Sequence, residues 1–98
     1  MEQFGHTLLI ANPVSQSGKG MNAAKEAEEL LRTHLGEDLD VVLTEYAGHA
    51  IDIAANSHGY DTIIGLGGDG VVHEIANGLM KLPADERPAF SVIPMGSG

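Results

Sequence analysis

Gly67-Gly68-Asp69-Gly70 places one carboxylate among three glycines, between an apolar run at residues 62–66 and an amphipathic stretch that begins at Val71. Glycine gives up more backbone freedom on folding than any other residue, so such a turn is costly to order. A strand leading in and a helix leading out aim backbone N–H groups at one point, a geometry that suits phosphate. The carboxylate adds a condition. An Asp beside phosphate is electrostatically unfavourable unless a Mg²⁺ ion or an attacking hydroxyl requires it. Nucleotide binding is therefore the first expectation, with Asp69 at its centre.

A second loop, Asn12-Pro13-Val14-Ser15-Gln16-Ser17-Gly18-Lys19-Gly20, has the composition of a phosphate loop without the Walker A order. The Gly required five residues before Gly18 is missing, and Gly20 stands where Ser or Thr should follow the Lys. No G-x-G-x-x-G opens the first helix either, so this is not a dinucleotide fingerprint. Direct phosphate contact and a loop that merely caps the first helix both remain open. The histidines His6, His34, His49, His58 and His73 form no metal pattern such as H-E-x-x-H. His73-Glu74 is an adjacent acid–base pair, but successive helical residues do not face each other. Glu74 is expected in the first turn of its helix, where a carboxylate favours the macrodipole.

The elements that must position these residues alternate. Residues 7–11 are a short apolar run stopped by Asn12-Pro13, a buried strand followed by a turn. Ala23, Ala27, Leu30, Leu31 and Leu35 fit one helix face, and Gly36 is a natural stop. Residues 40–44 read as a second strand, residues 48–57 as an alanine-rich helix, and residues 61–66 as a third strand. Val71, Val72, Ile75, Ala76, Leu79 and Met80 form an apolar stripe at helical spacing, ended before Pro83. Residues 83–88 read as a polar loop and residues 90–93 as a fourth strand.

Strand and helix in strict alternation predict an α/β fold, a Rossmann-like parallel sheet with flanking helices. Ligands then bind at the carboxyl ends of the strands. The loops at residues 12–20, 44–49, 67–70 and 94–98 all fall on that edge.

Composition bounds the class. The chain has 98 residues, 43% hydrophobic and 19% charged, which suits one small globular domain. A domain this small is marginally stable without a partner, and a second copy of the chain is one candidate. The net charge of −9 argues against nucleic acid and against a polybasic membrane anchor. It leaves ATP open, because Mg²⁺ and backbone amides can carry phosphate charge locally. Cysteine is absent, which removes disulfides and Cys-ligated metals and fits a cytoplasmic protein. No apolar run approaches a transmembrane span. A lipid substrate would have to be met at the membrane surface.

Asn12-Pro13, Gly18-Lys19-Gly20, Thr44-Glu45 with His49-Ala50, Gly67-Gly68-Asp69-Gly70, His73-Glu74 with Asn77-Gly78, and Pro94-Met95-Gly96-Ser97-Gly98 occur in order. Together they resemble the nucleotide-binding half of the diacylglycerol kinase catalytic-domain family, which includes sphingosine and ceramide kinases. The resemblance spans nearly the whole chain, although the Gly-Gly-Asp-Gly element is shared with NAD kinases and phosphofructokinases. Val71 and Ser97 stand where many members have Thr. The apolar residue after Gly-Asp-Gly, the His-Glu pair and the Gly-Ser-Gly loop lean toward the sphingosine-kinase-like branch.

The resemblance implies an enzyme that transfers the γ-phosphoryl group of ATP to a lipid hydroxyl, diacylglycerol or a sphingoid base, with Mg²⁺. It places Asn12, Ser17, Gly18, Lys19, Gly20, Thr44, Gly67, Gly68, Asp69, Gly70, Val71 and Ser97 around the nucleotide. In sphingosine-kinase-like members the residue matching Asp69 is the proton acceptor. In bacterial diacylglycerol-kinase-like members it is tied to Mg²⁺ and nucleotide. In this family a second, β-rich domain largely builds the lipid pocket, so residues 1–98 are expected to be the N-terminal, ATP-binding portion of a two-domain kinase, inactive alone. The rival readings are an NAD-kinase-like phosphotransferase and a non-catalytic nucleotide-binding domain.

Overall fold

The computed structural model describes residues 4–14 and 19–94. Four strands, β1 (Thr7–Ala11), β2 (Leu39–Leu43), β3 (Thr62–Gly67) and β4 (Ala89–Pro94), form one sheet in the order β2-β1-β3-β4. All three pairings are parallel, with Ala11 level with Leu43 and Leu66, and Leu66 level with Ile93. The helices α1 (Gly20–Leu35), α2 (His49–Ala55) and α3 (Asp69–Leu79) are the crossovers. Short 3₁₀ turns at Gly36–Asp38 and Ala84–Glu86 lead into β2 and β4. The second turn lies inside the expected polar loop.

The chain runs from β1 outward to β2, then crosses back over β1 to β3 and on to β4. Parallel crossovers keep one hand, so reversing direction moves the connecting helix to the other face. The packing shows this. On one face α1 buries Ala24, Ala27, Leu31 and Leu35 against Leu9, Ala11, Leu39, Ile64 and Leu66. On the other, Ala50 and Ala54 of α2 and Val71, Ile75 and Leu79 of α3 pack on Leu8, Ile10 and Ile63. Consecutive residues of β1 thus feed opposite cores, which is why the strand reads as a continuous apolar run rather than an alternation.

Three residues of the expected stripes are exposed: Leu30, Met80 and Ala76, the last beside the buried Ile75. Leu30 is 62% exposed because the buried face runs through Ala24, Ala27, Leu31 and Leu35, one position away. Met80 is 69% exposed because α3 ends at Leu79 and Met80 is its C-cap. The opposite end of the sheet from the predicted ligand edge is tied by Asp40, whose Oδ2 accepts from the Tyr60 hydroxyl at 2.7 Å and pairs with His6 Nε2 at 3.0 Å. The Tyr60 bond, with the neighbouring His6, holds the Asp40 carboxyl below its ordinary range.

Candidate nucleotide site at the carboxyl ends of the strands

Reversal of the crossover direction separates the loops that follow β1 and β3, and an open α/β sheet forms its ligand crevice at such a point. Asn12 follows β1 directly. Its Oδ1 accepts the Val14 N–H at 3.0 Å, an Asx-type turn that steers the chain off the sheet. Beside it, the Thr44 N–H donates to the Ala11 carbonyl at 2.8 Å, carrying the β1–β2 pairing one residue past β2. The two loops therefore leave the sheet side by side.

The third contribution comes from β3 and α3. Gly67 ends the strand at a φ of 148°, and Gly68 is the N-cap, so Asp69 and Gly70 already belong to the helix. The sequence pattern began that helix at Val71 and assigned all three glycines to the turn. Among those three, Gly67 alone has a positive φ. No side chain caps α3, which leaves its first N–H groups open toward the sheet edge. Asp69 is exposed, in the first turn of that open helix end.

These loops enclose a cleft of about 330 Å³ lined by Asn12, Val14, Thr44, Glu45, Tyr46, Ala47, Gly70, Val71 and Glu74. That volume lies at the lower end of the range for small-molecule sites, roughly 300–1,000 Å³. Asn12, Thr44, Gly70 and Val71, all expected around a nucleotide, do meet here. Gly67, Gly68 and Asp69 lie at the α3 end of the cleft without lining it. Lys19, exposed, is the N-cap of α1, and Gly20 is its buried first residue; neither lines the cleft. Ser17, Gly18 and Ser97 lie outside the described residues, as do Met95, Gly96 and Gly98 of the last glycine-rich loop.

Val71 is 7% exposed, with its side chain divided between the cleft and the α2–α3 core. It forms an apolar wall where Thr would offer a hydroxyl. Glu74 corrects an expectation. It sits in the second turn of α3, past the reach of a first-turn dipole effect. Its Oε2 accepts the Gly48 N–H at 3.3 Å and so ties α3 to the loop between β2 and α2.

That loop has three further ties. The Glu45 N–H donates to His49 Nδ1 at 3.0 Å, and the Tyr46 ring stacks on His49 with centroids 4.4 Å apart and planes inclined by 15°. The Tyr46 hydroxyl reaches Asp52 Oδ2 at 3.3 Å. Desolvation, followed by the Asp52 charge, pushes that phenol above its ordinary range. A single-sequence reading overlooks Glu45, Tyr46, Glu74 and His49 as site residues. The available signal was the crowding of Glu45 and Tyr46 beside Thr44 on the ligand edge.

The cleft is acidic, lined by Glu45 and Glu74 with no Lys or Arg among its lining residues. Phosphate here must be met by backbone N–H groups and by a cation. Among the described residues no three His, Cys, Asp or Glu side chains are grouped to hold a metal. An Mg²⁺ ion carried on a polyphosphate asks for only one or two protein carboxylates. The exposed Asp69 carboxylate at an open helix end meets that requirement.

Comparisons with known proteins bear on the family and the fold. A sphingoid long chain base kinase of Saccharomyces cerevisiae is 38% identical over 96 residues, covering 92% of this chain and 14% of the yeast protein. The "Probable lipid kinase YegS-like" protein of Yersinia pestis (strain Pestoides F) is 38% identical over 95 residues, covering 94% of this chain and 30% of the relative. A crystal structure of a diacylglycerol kinase from Bacillus anthracis str. Sterne superposes with a TM-score of 0.79 at 31% identity, over 97% of this chain and 34% of that one. The chain thus spans between 14% and 34% of each of these relatives. The diacylglycerol kinase catalytic domain matches residues 6–98, nearly the whole of the sequence, and the chain belongs to that family.

Proposed function

We propose that this chain forms the nucleotide-binding part of a lipid kinase that transfers the γ-phosphoryl group of ATP to a lipid hydroxyl. The observation that carries the reading is the meeting of three strand-end loops around one cleft, with a helix that no side chain caps and the exposed Asp69 next to the lining residue Gly70. The family supports a kinase, and its named relatives, a sphingoid base kinase and a YegS-like lipid kinase, support a lipid acceptor.

Phosphoryl transfer depends mainly on positioning and on stabilising charge. The open N–H groups of α3 bind and orient phosphate oxygens, and the helix dipole favours their negative charge. Val71 and the 44–47 loop shape the cleft and exclude water from its apolar side. Mg²⁺, when bound, supplies the positive charge that the lining lacks, with Asp69 as its protein ligand. In the alternative role Asp69 accepts the proton of the attacking lipid hydroxyl. Both roles need a carboxylate at this position. Among the described residues no helix is long and apolar enough to cross a membrane, and the lipid is met at a membrane surface.

Asp69→Asn in the full-length protein keeps the size of the side chain and removes its charge. Transfer of label from γ-labelled ATP to diacylglycerol or sphingosine in mixed micelles is expected to fall by about 10²-fold or more, the scale on which acid–base and charge-stabilising groups act. The thermal midpoint should stay near wild type, since Asp69 is exposed and caps nothing. Undiminished transfer would sink the assignment. Offering NAD as acceptor in the same assay tests the soluble-substrate rival.

A further inference from the structure

The loop between β2 and α2 contributes four consecutive residues, Thr44 to Ala47, to the cleft, yet it has no regular secondary structure of its own from Thr44 to Glu45. Backbone bonds hold it at two points, Thr44 N–H to the Ala11 carbonyl and His49 N–H to the Tyr46 carbonyl, and a few side-chain ties do the rest. Glu74 Oε2 holds Gly48 N–H from one side. His49 holds the other through two contacts, the Nδ1 bond from Glu45 N–H and the stack beneath Tyr46. His49 is the first residue of α2, so its ring links the rigid helix to the loop that precedes it.

We propose that His49 is a positioning residue for the nucleotide cleft, fixing Glu45 and Tyr46 through its unprotonated Nδ1. The proposal rests on the nucleotide reading above. The Glu45 N–H is a donor, so Nδ1 must carry a lone pair and the ring proton must sit on Nε2. A second proton turns Nδ1 into a donor facing a donor. The bond is then lost, and with it the restraint on the cleft wall. Stacking on Tyr46 attracts an imidazolium, but that attraction supplies no acceptor for the Glu45 amide. The ionisable groups tied to this loop are Glu45 and Tyr46 within it, Asp52 from α2, which meets the Tyr46 hydroxyl, and Glu74 from α3, which reaches the loop at Gly48.

Three proteins separate this role from a merely structural one: full-length wild type, His49→Asn and His49→Phe. Asn places its Oδ1 near the position of Nδ1 and does not titrate; Phe keeps a ring for the stack and has no acceptor. Binding of a fluorescent ATP analogue is measured at about pH 8 and about pH 5.5, either side of the ordinary histidine range. Subtracting the His49→Asn profile removes titration of the nucleotide's own phosphate.

Wild type is expected to lose about fivefold to tenfold more affinity than His49→Asn across that range, the size of one lost hydrogen bond. His49→Phe should bind at pH 8 about as weakly as wild type does at the lower pH, while His49→Asn stays within about threefold of wild type at pH 8. The amide resonance of Glu45 should move between the two pH values in wild type and stay in place in His49→Asn. An acid limb unchanged in His49→Asn, wild-type affinity in His49→Phe, or a Glu45 amide indifferent to pH overturns the proposal. If no protein binds nucleotide at either pH, the nucleotide reading falls, and the Glu45 amide still decides whether His49 positions the loop.

Discussion

Gly67 turns the chain out of β3 at a φ of 148°, a backbone region that L side chains rarely adopt. A Cβ there would stand 3.2 Å from Val71 Cγ2, tighter than ordinary contact, on the side chain that forms the apolar wall of the cleft. Its neighbour Gly68 has a φ of −92°, and a Cβ built on it meets nothing within 4 Å. The two glycines look alike in the sequence and differ in what they need. Gly67→Ala is expected to cost about 1–3 kcal/mol from the forced backbone alone. Gly68→Ala should change stability by less than about 1 kcal/mol, because its backbone is open to any residue. Urea unfolding of the two variants side by side checks this, and equal midpoints would show that the positive φ carries no strain. Asp69 follows the pair into the first turn of α3, so the turn conformation of Gly67 sets where the carboxylate stands.

The α2–α3 crossing depends on Gly78. A Cβ at this position would collide with the Ile51 carbonyl oxygen and stand 2.7 Å from Ala54 Cβ, both on α2. Two effects oppose each other in Gly78→Ala. Alanine favours the helix by about 1 kcal/mol, and overpacking against a neighbouring backbone costs about 1–3 kcal/mol. The obstacle is largely main chain and a Cβ, with no long side chain able to swing aside, so the cost wins. The expected outcome is a net destabilisation of about 1–2 kcal/mol in thermal or urea unfolding, and a stabilised variant would refute the close-packing argument. Element types were legible because each carries its own pattern: Leu8 to Ala11 are a short unbroken apolar run that fills both cores, and Ile75 and Leu79 fall on one helix face. Glu74 was misread for a physical reason. The helix begins at Asp69, because Gly68 can cap it, and that two-residue shift moves Glu74 out of the first turn. Its bond to Gly48 exists because Gly78 lets α2 approach α3 closely, a relation between elements that local spacing does not encode. The His49 bond to Glu45 was hidden in the same way, since an isolated histidine at a helix start carries no sequence sign of which ring nitrogen accepts.

For the molecule as a whole, charge balance is the property that length and composition make testable. The 98 residues carry a net charge of −9, and the folded chain has a radius of gyration of 12.5 Å. Its extents are 36, 30 and 22 Å, beyond the Debye length of about 10 Å at 0.1 M salt but comparable with the roughly 30 Å at 0.01 M, so at low ionic strength carboxylates on opposite faces still repel one another. Salt also weakens favourable pairs, and the sign of its effect depends on how many there are. Among the described residues there are two such contacts, Arg32 with Glu28 and Asp40 with His6, the second an ion pair only when the imidazole is protonated, and all four side chains are 39–48% exposed. Pairs of that kind contribute between about 0 and 1 kcal/mol each. Relief of repulsion therefore outweighs their loss. Raising sodium chloride from about 0.02 M to about 0.5 M, which shortens the Debye length to a few ångströms, should stabilise the chain at neutral pH. A gain of about 1 kcal/mol would appear as a rise of roughly 4–8 °C in the thermal midpoint of a domain this size. The same titration near the isoelectric point of about 4.7 separates repulsion from a general effect of the salt, because net charge is then close to zero. There the midpoint should be flat with salt or fall slightly as the two pairs are screened. An equal rise at both pH values would mean that self-repulsion does not limit this fold. A fall at neutral pH would mean that the ion pairs outweigh it.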